Sequence, residues 1–263
     1  MVTTVSIVIP ARLASTRLPK KVLLDLAGKP LLKHVWEKAM ALKDFYLESQ
    51  KTNKSERLRI IDVCVVADSI EVNEAVQSWG GKVLLSSPDC PSGTARMTSV
   101  VEHLPGDYLL NIQADEPFVP LNLLKTVLEQ ACMTNADMVT PIFKIETVEA
   151  LLNPNIVKVL INSHGRALYF SRSPIPYVRD YAVDQWLKQT AFYGHLGIYC
   201  YKRQLLEHYT QLKPSQLEKA EKLEQLIFIE NNCQIQTVMA EEQTISIDTL
   251  EDLYQARKLA IVN

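Results

Sequence analysis

The stretch Val5-Ser6-Ile7-Val8-Ile9-Pro10, followed by Ala11-Arg12-Leu13-Ala14-Ser15-Thr16-Arg17-Leu18-Pro19-Lys20-Lys21, decides how this chain folds. Its first part is apolar almost throughout, as a strand covered on both faces should be; a strand with one wet face would alternate. Its second part is a basic loop leaving that strand's carboxyl end. Moving outward, helix and strand patterns alternate: Leu31 to Lys43 reads as a helix, Ile60 to Ala67 as a strand, Glu71 to Trp79 as a helix and Lys82 to Ser86 as a strand. Thr94 to His103 reads as a helix, Tyr108 to Gln113 as a strand and Pro120 to Ala131 as a helix. This alternation marks βαβ units on a mainly parallel sheet, so the fold class is α/β.

Past Met138 the order changes. Strands are expected at Met138 to Phe143, Ile156 to Ile161, Ala167 to Phe170 and Leu196 to Tyr201, broken by loops and short helices, which implies a mixed sheet. Leu217 to Glu230 reads as one helix with Leu223, Leu226 and Ile227 on its apolar face, and Ile235 to Val238 as a strand. Gln243 to Ile247 is strand-like, and a terminal helix over Thr249 to Leu259 is capped by Asp248 or Thr249. Glu48 to Arg57 and Tyr177 to Gln189 read as polar insertions, the first a solvated loop.

Composition narrows the function. With 28 Lys plus Arg against 30 Asp plus Glu, the net charge of −2 over 263 residues gives no global field for nucleic acid or an anionic membrane, so any anion site is local. No apolar run approaches the roughly 18 residues of a spanning helix, and the beginning MVTTVSIVIPARLAS lacks a basic n-region and a long h-region. Cytosol is the expected compartment. The five cysteines are odd in number, scattered and never in C-x-x-C, which argues for reduced thiols rather than a disulfide scaffold or zinc cage.

Ligands of open α/β sheets bind beyond the strands' carboxyl ends, which directs attention to the loop after Pro10. Without a glycine it is neither a dinucleotide-binding turn nor a P-loop. Instead it carries Arg12, Arg17, Lys20 and Lys21, with Ser15 and Thr16 between them. Arginine forks and lysine point charges at such a position suit several phosphate oxygens. At the same sheet edge Gln113-Ala114-Asp115-Glu116-Pro117 brings out two carboxylates, as a hard divalent cation with retained waters requires. Asp248 either completes that shell or caps the last helix, and Ser86 to Met97, with Ser92 and Gly93, either accepts a base or phosphate edge or is only a turn. The histidines show no metal-binding or Ser-His-Asp spacing; His195 differs in opening the run His195-Leu196-Gly197-Ile198-Tyr199 after an inserted loop.

The strings IPARLASTRLPKK, GGKV, SGTARM, NIQADEP, NPNIVKV, ALYFSRSPIP, HLGIYCY, LEQL and IDTLEDL follow one another over nearly the whole chain. In this order they resemble the 3-deoxy-manno-octulosonate (Kdo) cytidylyltransferases of lipopolysaccharide assembly. The resemblance implies a three-layer nucleotide-diphospho-sugar transferase-like fold, with a mostly parallel central sheet and a mixed-sheet dimerisation region. One nucleotidyltransferase domain would span 1–263, with a nucleotide-binding half (1–137) and a sugar-acid-binding and dimerisation half (138–263). CTP and Kdo are then the substrates, Mg²⁺ the cofactor, and a cytoplasmic homodimer the working form, with Trp186 of the inserted loop either an aromatic anchor for the dimer or packed in its own subunit.

By the same resemblance Arg17, Lys21 and Asp115 are catalytic, and Pro10, Ala11, Arg12, Ser92, Gly93 and Gln113 bind the nucleotide. Arg172, His195, Tyr199, Glu224 and Gln225 face the sugar acid, with Arg172 forking its carboxylate, and Asp115 and Asp248 hold the metal. The chain departs from the family pattern at Lys20-Lys21-Val22, Ala67-Asp68-Ser69, Pro91, Ala95, Ala114 and Leu250. Pro91 and Asp68 fall where an amide and a hydroxyl would read a base edge, which bears on nucleotide selectivity. A cytidylyltransferase for a sialic-acid-like nonulosonate and a weakened nucleotide-binding homologue are the alternatives.

Overall fold

β1 (Thr3–Ala11) runs through the middle of a parallel sheet, and its Ile7, Val8 and Ile9 are fully buried. In the computed structural model, which describes residues 2–15, 17–53 and 57–262, a short hairpin of β2 (Asp25–Leu26) and β3 (Lys29–Pro30) follows the basic loop. Thr16 of that loop lies outside the described residues. β4 (Leu58–Ala67) pairs parallel with β1 on one side and with β5 (Lys82–Leu85) on the other; β6 (Tyr108–Asn111) pairs parallel with β1. The loops that follow all four strands therefore leave one edge.

These strands belong to a unit made of Met1–Lys125, Tyr201–Glu207 and Thr244–Asn263; a second unit comprises Thr126–Cys200 and His208–Gln243. The compact units thus interleave along the chain instead of dividing once at 137/138. In the second unit β7 (Met138–Lys144) is antiparallel to β10 (Tyr193–His195), which is antiparallel to β8 (Lys158–Ile161), itself antiparallel to β9 (Ala167–Ser171). β11 (Tyr199–Lys202) carries the chain back into the first unit, and β12 (Ile235–Met239) returns parallel to β7. The α/β class holds, with parallel strands in the first unit and a mixed set in the second.

Several elements differ from the sequence expectation. The polar stretch from Glu48 continues a helix, Leu31–Thr52, whose buried face runs through Leu42 and Tyr46; of the remainder, 54–56 lie outside the described residues. The expected helix from Thr94 is split into Gly93–Thr98 and a 3₁₀ turn, Val101–His103. Leu196 to Tyr201 is no single strand, because Ile198 N–H closes a tight turn on the Leu196 carbonyl between β10 and β11. The expected helix Leu217 to Glu230 breaks into Gln216–Glu221 and Leu226–Glu230, with Lys222 in the left-handed region at φ 52°. Gln243 to Ile247 forms no strand. Trp186 is buried in its own subunit, stacked on Phe192 with its Nε1–H donated to the Tyr181 carbonyl, so it is not an exposed dimer anchor.

Candidate active site

The basic loop is held by one apolar side chain. Leu18 joins Leu26, Leu31, Ile247, Leu253 and Ala256 in a buried cluster, which packs the loop against the C-terminal helix Leu250–Val262. That helix is capped reciprocally: Thr249 Oγ1 accepts from Asp252 N–H, and the Asp252 carboxylate accepts from Thr249 N–H. Thr249 therefore does the capping and the Asp248 carboxylate is left to face the loop. Ile247 N–H donates to the Asp115 carbonyl, which brings the two acidic positions together without a strand.

Lys21 Nζ lies 2.6 Å from Asp115 Oδ2 and 2.8 Å from Asp248 Oδ1, and Arg17 Nη2 is 3.0 Å from Asp248 Oδ2. Burial alone would lower the Lys21 pKa, but Asp115 and Asp248 outweigh it and hold the ammonium above its usual 10.5. Burial would raise the Asp248 carboxyl, but Lys21 and Arg17 hold it below the carboxylate range. Glu116 behaves oppositely: burial, reinforced by the charge of Asp115, pushes it up to about 7, and its Oε2 is buried without a hydrogen-bond partner. Lys20 turns away to Glu71 and Arg12 is exposed.

The nucleotide-binding candidates also converge. A Cβ on Gly93 would lie 3.6 Å from the Gln113 amide and 3.9 Å from Pro10 Cβ, so the ends of β1 and β6 meet the start of the helix Gly93–Thr98. Ser92 caps that helix by accepting Ala95 N–H, and Ala11 is fully buried, so only its backbone can serve a ligand. An open cavity of about 350 Å³ lies between Leu13, Ala14, Ser15 and Pro19 of the loop and Asp68, Ser69 and Pro88.

Asp68 is a clamp rather than a misplaced base reader. Its Oδ1 accepts Leu13 N–H at 2.9 Å, and its Oδ2 lies 3.4 Å from Arg96 Nη2 in a buried pair. The sequence reading missed this role. An aspartate directly after a buried strand and an arginine inside a helix were the available signals.

In the second unit His195, Tyr199 and Glu224 come together. The His195 and Tyr199 rings are 5.3 Å apart, and burial followed by the Glu224 charge raises the Tyr199 phenol. Desolvation pushes His195 down to about 3, so the imidazole is neutral at physiological pH. Gln225 is buried at the start of the helix Leu226–Glu230.

Arg172 is more committed than the sequence implies. Its Nε donates to the Glu221 carbonyl at 2.7 Å, Nη1 to the Pro154 carbonyl at 2.9 Å and Nη2 to the Lys222 carbonyl at 3.4 Å. Its backbone N–H and the Ser171 hydroxyl take the Glu221 carboxylate. These bonds hold the helix break that carries Glu224 and Gln225, and three of the five guanidinium N–H groups are spent on it.

Comparison with known proteins follows the same lines. A family model described as cytidylyltransferase matches residues 6–243. A 3-deoxy-manno-octulosonate cytidylyltransferase of Parabacteroides distasonis is 39% identical over 95% of this chain and 95% of its own length. One from Glaesserella parasuis is 38% identical over 97% and 96%. A solved structure described as CMP:2-keto-3-deoxy-manno-octonic acid synthetase complexed with CTP superposes with a TM-score of 0.87 at 34% identity, covering 99% of both chains. A putative glucose-1-phosphate thymidylyltransferase from Bacillus anthracis, at 15% identity and a TM-score of 0.63 over 97% of this chain and 95% of its own, shares the fold.

Proposed function

We propose the reaction from one premise: the chain belongs to the 3-deoxy-manno-octulosonate cytidylyltransferase family. It is a nucleotidyltransferase that joins CTP to Kdo, giving CMP-Kdo and pyrophosphate for lipopolysaccharide biosynthesis. The observation that carries the chemistry is the convergence of Asp115 and Asp248 on one ammonium, at the mouth of a glycine-free basic loop.

The anomeric hydroxyl of Kdo attacks the α-phosphorus in line, giving up its proton to water, and the bond to the departing pyrophosphate breaks. CTP brings about four negative charges to this step, so the protein's task is neutralisation and alignment. Arg12, Arg17 and Lys21 bind phosphate oxygens by charge-assisted hydrogen bonds, and Lys21 keeps its proton because its pKa is raised. Pro10, Ala11, Ser92, Gly93 and Gln113 hold the nucleoside end. Asp68 keeps the loop backbone in place through Leu13. His195, Tyr199, Glu224 and Gln225 meet the sugar hydroxyls, and Arg172 positions the segment bearing the last two, with two N–H groups left for a carboxylate.

Mg²⁺ is the cofactor we assign. Among the described residues no group of three or more His, Cys, Asp or Glu is arranged for a metal, but Mg²⁺ needs only one or two protein carboxylates beside water and phosphate oxygens. Asp115 and Asp248 fit that donor set, because both already point at a single cation, Lys21. Bound there, the ion would neutralise the phosphates and steady the leaving group.

The working form we assign is a cytoplasmic homodimer built through the second unit. Leu168, Met239, Tyr177 and Tyr181 are large apolar or aromatic side chains exposed there, and sedimentation should give a dimer at micromolar concentration. No helix among the described residues is long and apolar enough to cross a membrane.

Pyrophosphate release tests the reaction. It should require CTP and Kdo together, and a sialic-acid-like nonulosonate in place of Kdo should be used at least about tenfold less well. Preference for the nonulosonate would replace the sugar in this assignment.

A further inference from the structure

We infer that Thr140 is a positioning residue that fixes His195 as its Nε2–H tautomer, so that Nδ1 accepts a hydrogen bond from a hydroxyl of the sugar acid. The identity of that ligand rests on the function proposed above; the tautomer does not.

Thr140 is the one hydroxyl-bearing residue in the otherwise apolar run of β7, and it is fully buried. Three groups surround its Oγ1: the Ile198 carbonyl at 2.7 Å, His195 Nε2 at 2.8 Å and the Leu196 carbonyl at 3.4 Å. A threonine hydroxyl has one proton to donate and lone pairs to accept with, whereas carbonyl oxygens only accept. If that proton went to Nε2, the Ile198 carbonyl would face a bare oxygen at 2.7 Å inside the protein, an arrangement with no compensating bond. The proton therefore goes to Ile198, and Nε2 must be the donor to Thr140.

The tight turn between β10 and β11 makes this possible, because it swings the Leu196 and Ile198 carbonyls onto the same hydroxyl. Two further rings pack on the imidazole, Phe170 in an edge arrangement at 5.2 Å and Tyr199 tilted at 5.3 Å. With Nε2 protonated, Nδ1 carries only a lone pair, and among the described residues the ring's side-chain hydrogen bond is the one at Nε2. A neutral imidazole presenting a lone pair repels a carboxylate and accepts from an O–H. His195 thus selects one of the ligand's hydroxyls, and the ligand's carboxylate has to be met by other groups. The low pKa of His195 agrees with a ring that stays neutral.

The test combines a spectrum with kinetics. Nitrogen NMR of the unliganded protein at neutral pH, with His195 assigned through His195→Gln, should show Nε2 protonated and Nδ1 bare. A protonated Nδ1, or an imidazolium, would overturn the inference without any assay. Thr140→Val should shift the tautomer balance and raise KM for Kdo about tenfold, with KM for CTP unchanged, while Thr140→Ser restores both spectrum and KM. A folded Thr140→Val protein with parental tautomer and parental KM for Kdo would also overturn it. Should the valine variant not fold, the parent spectrum and the serine variant still decide. If the unsubstituted protein turns over no Kdo, the function proposed above and the hydroxyl assignment fall together, and the spectrum alone judges the tautomer.

Discussion

The carboxyl edge of the parallel strands in the first unit and the end of β10 in the second solve opposite problems. At the first, charges are gathered where water still reaches them: Lys21 faces Asp115 and Asp248, Arg17 faces Asp248, and both carboxylates remain partly accessible. At the second, the groups are mostly neutral, with a desolvated His195, an un-ionised Tyr199 and an uncharged Thr140 behind them, and Glu224 is the charge beside Tyr199. Transfer of a nucleotide from a triphosphate needs charge compensated as it moves; recognition of a polyhydroxylated sugar needs donors and acceptors of fixed sense. The same chain therefore tunes ionisable side chains in opposite directions, and the two regions should respond to substitution through different substrates.

The largest effect should come from Lys21→Met. It leaves Asp115 without its cation and Asp248 with Arg17 alone, and it removes a phosphate ligand, so turnover should fall about a thousandfold in single-turnover assays while the sugar acid still binds. A loss confined to KM for Kdo would break the contrast. Asp68→Asn comes next: it opens the buried pair with Arg96 and should cost about 3 kcal/mol of stability by denaturant titration. It should also raise KM for CTP about tenfold with KM for Kdo within twofold.

His195→Gln should do the reverse, raising KM for Kdo about tenfold and sparing CTP. It also carries a pH signature. The native pKa of His195 lies near 3, below its ordinary 6.5, so the unfolded chain takes up a proton the native protein refuses as pH falls through that window. The histidine's contribution to stability is full above pH 6.5 and lost towards pH 3, and the glutamine variant should lose less stability there. The smallest effect belongs to Thr249→Ala, which should cost about 1 kcal/mol through the lost cap and leave turnover within about twofold. A larger kinetic defect would mean that the cap, rather than Asp248 itself, governs the site.

Periodicity exposed the parallel part of the fold, because strands covered on both faces read as uninterrupted apolar runs. β1, β4 and β6 were legible in this way, and β5, whose residues are half-buried or exposed, from its place in the alternation of helices and strands. The second unit was less so. The break at Lys222 is made by Arg172 and Ser171, about fifty positions away, pulling on Glu221, and no local pattern signals such a long-range contact. The turn after His195 hides in an apolar run for the same reason. Of the site, the basic loop and QADEP were readable from charge and position. The clamp at Asp68, the orphaned oxygen of Glu116 and the hydroxyl of Thr140 were not, since each depends on which partner the fold brings to it. Asp248 shows the limit most clearly: spacing made it a plausible cap, and only the Thr249–Asp252 exchange releases its carboxylate.

The most direct measurement of the charged region's purpose is pyrophosphate release as a function of Mg²⁺ concentration, for the parent and for Asp248→Asn. With the cap on Thr249 intact, the variant should stay folded, lose most of its turnover at ordinary Mg²⁺ and recover part of it only at much higher concentrations. Turnover within a few-fold of the parent, with the same Mg²⁺ dependence, would contradict the assignment of Asp248 and the division of labour built on it.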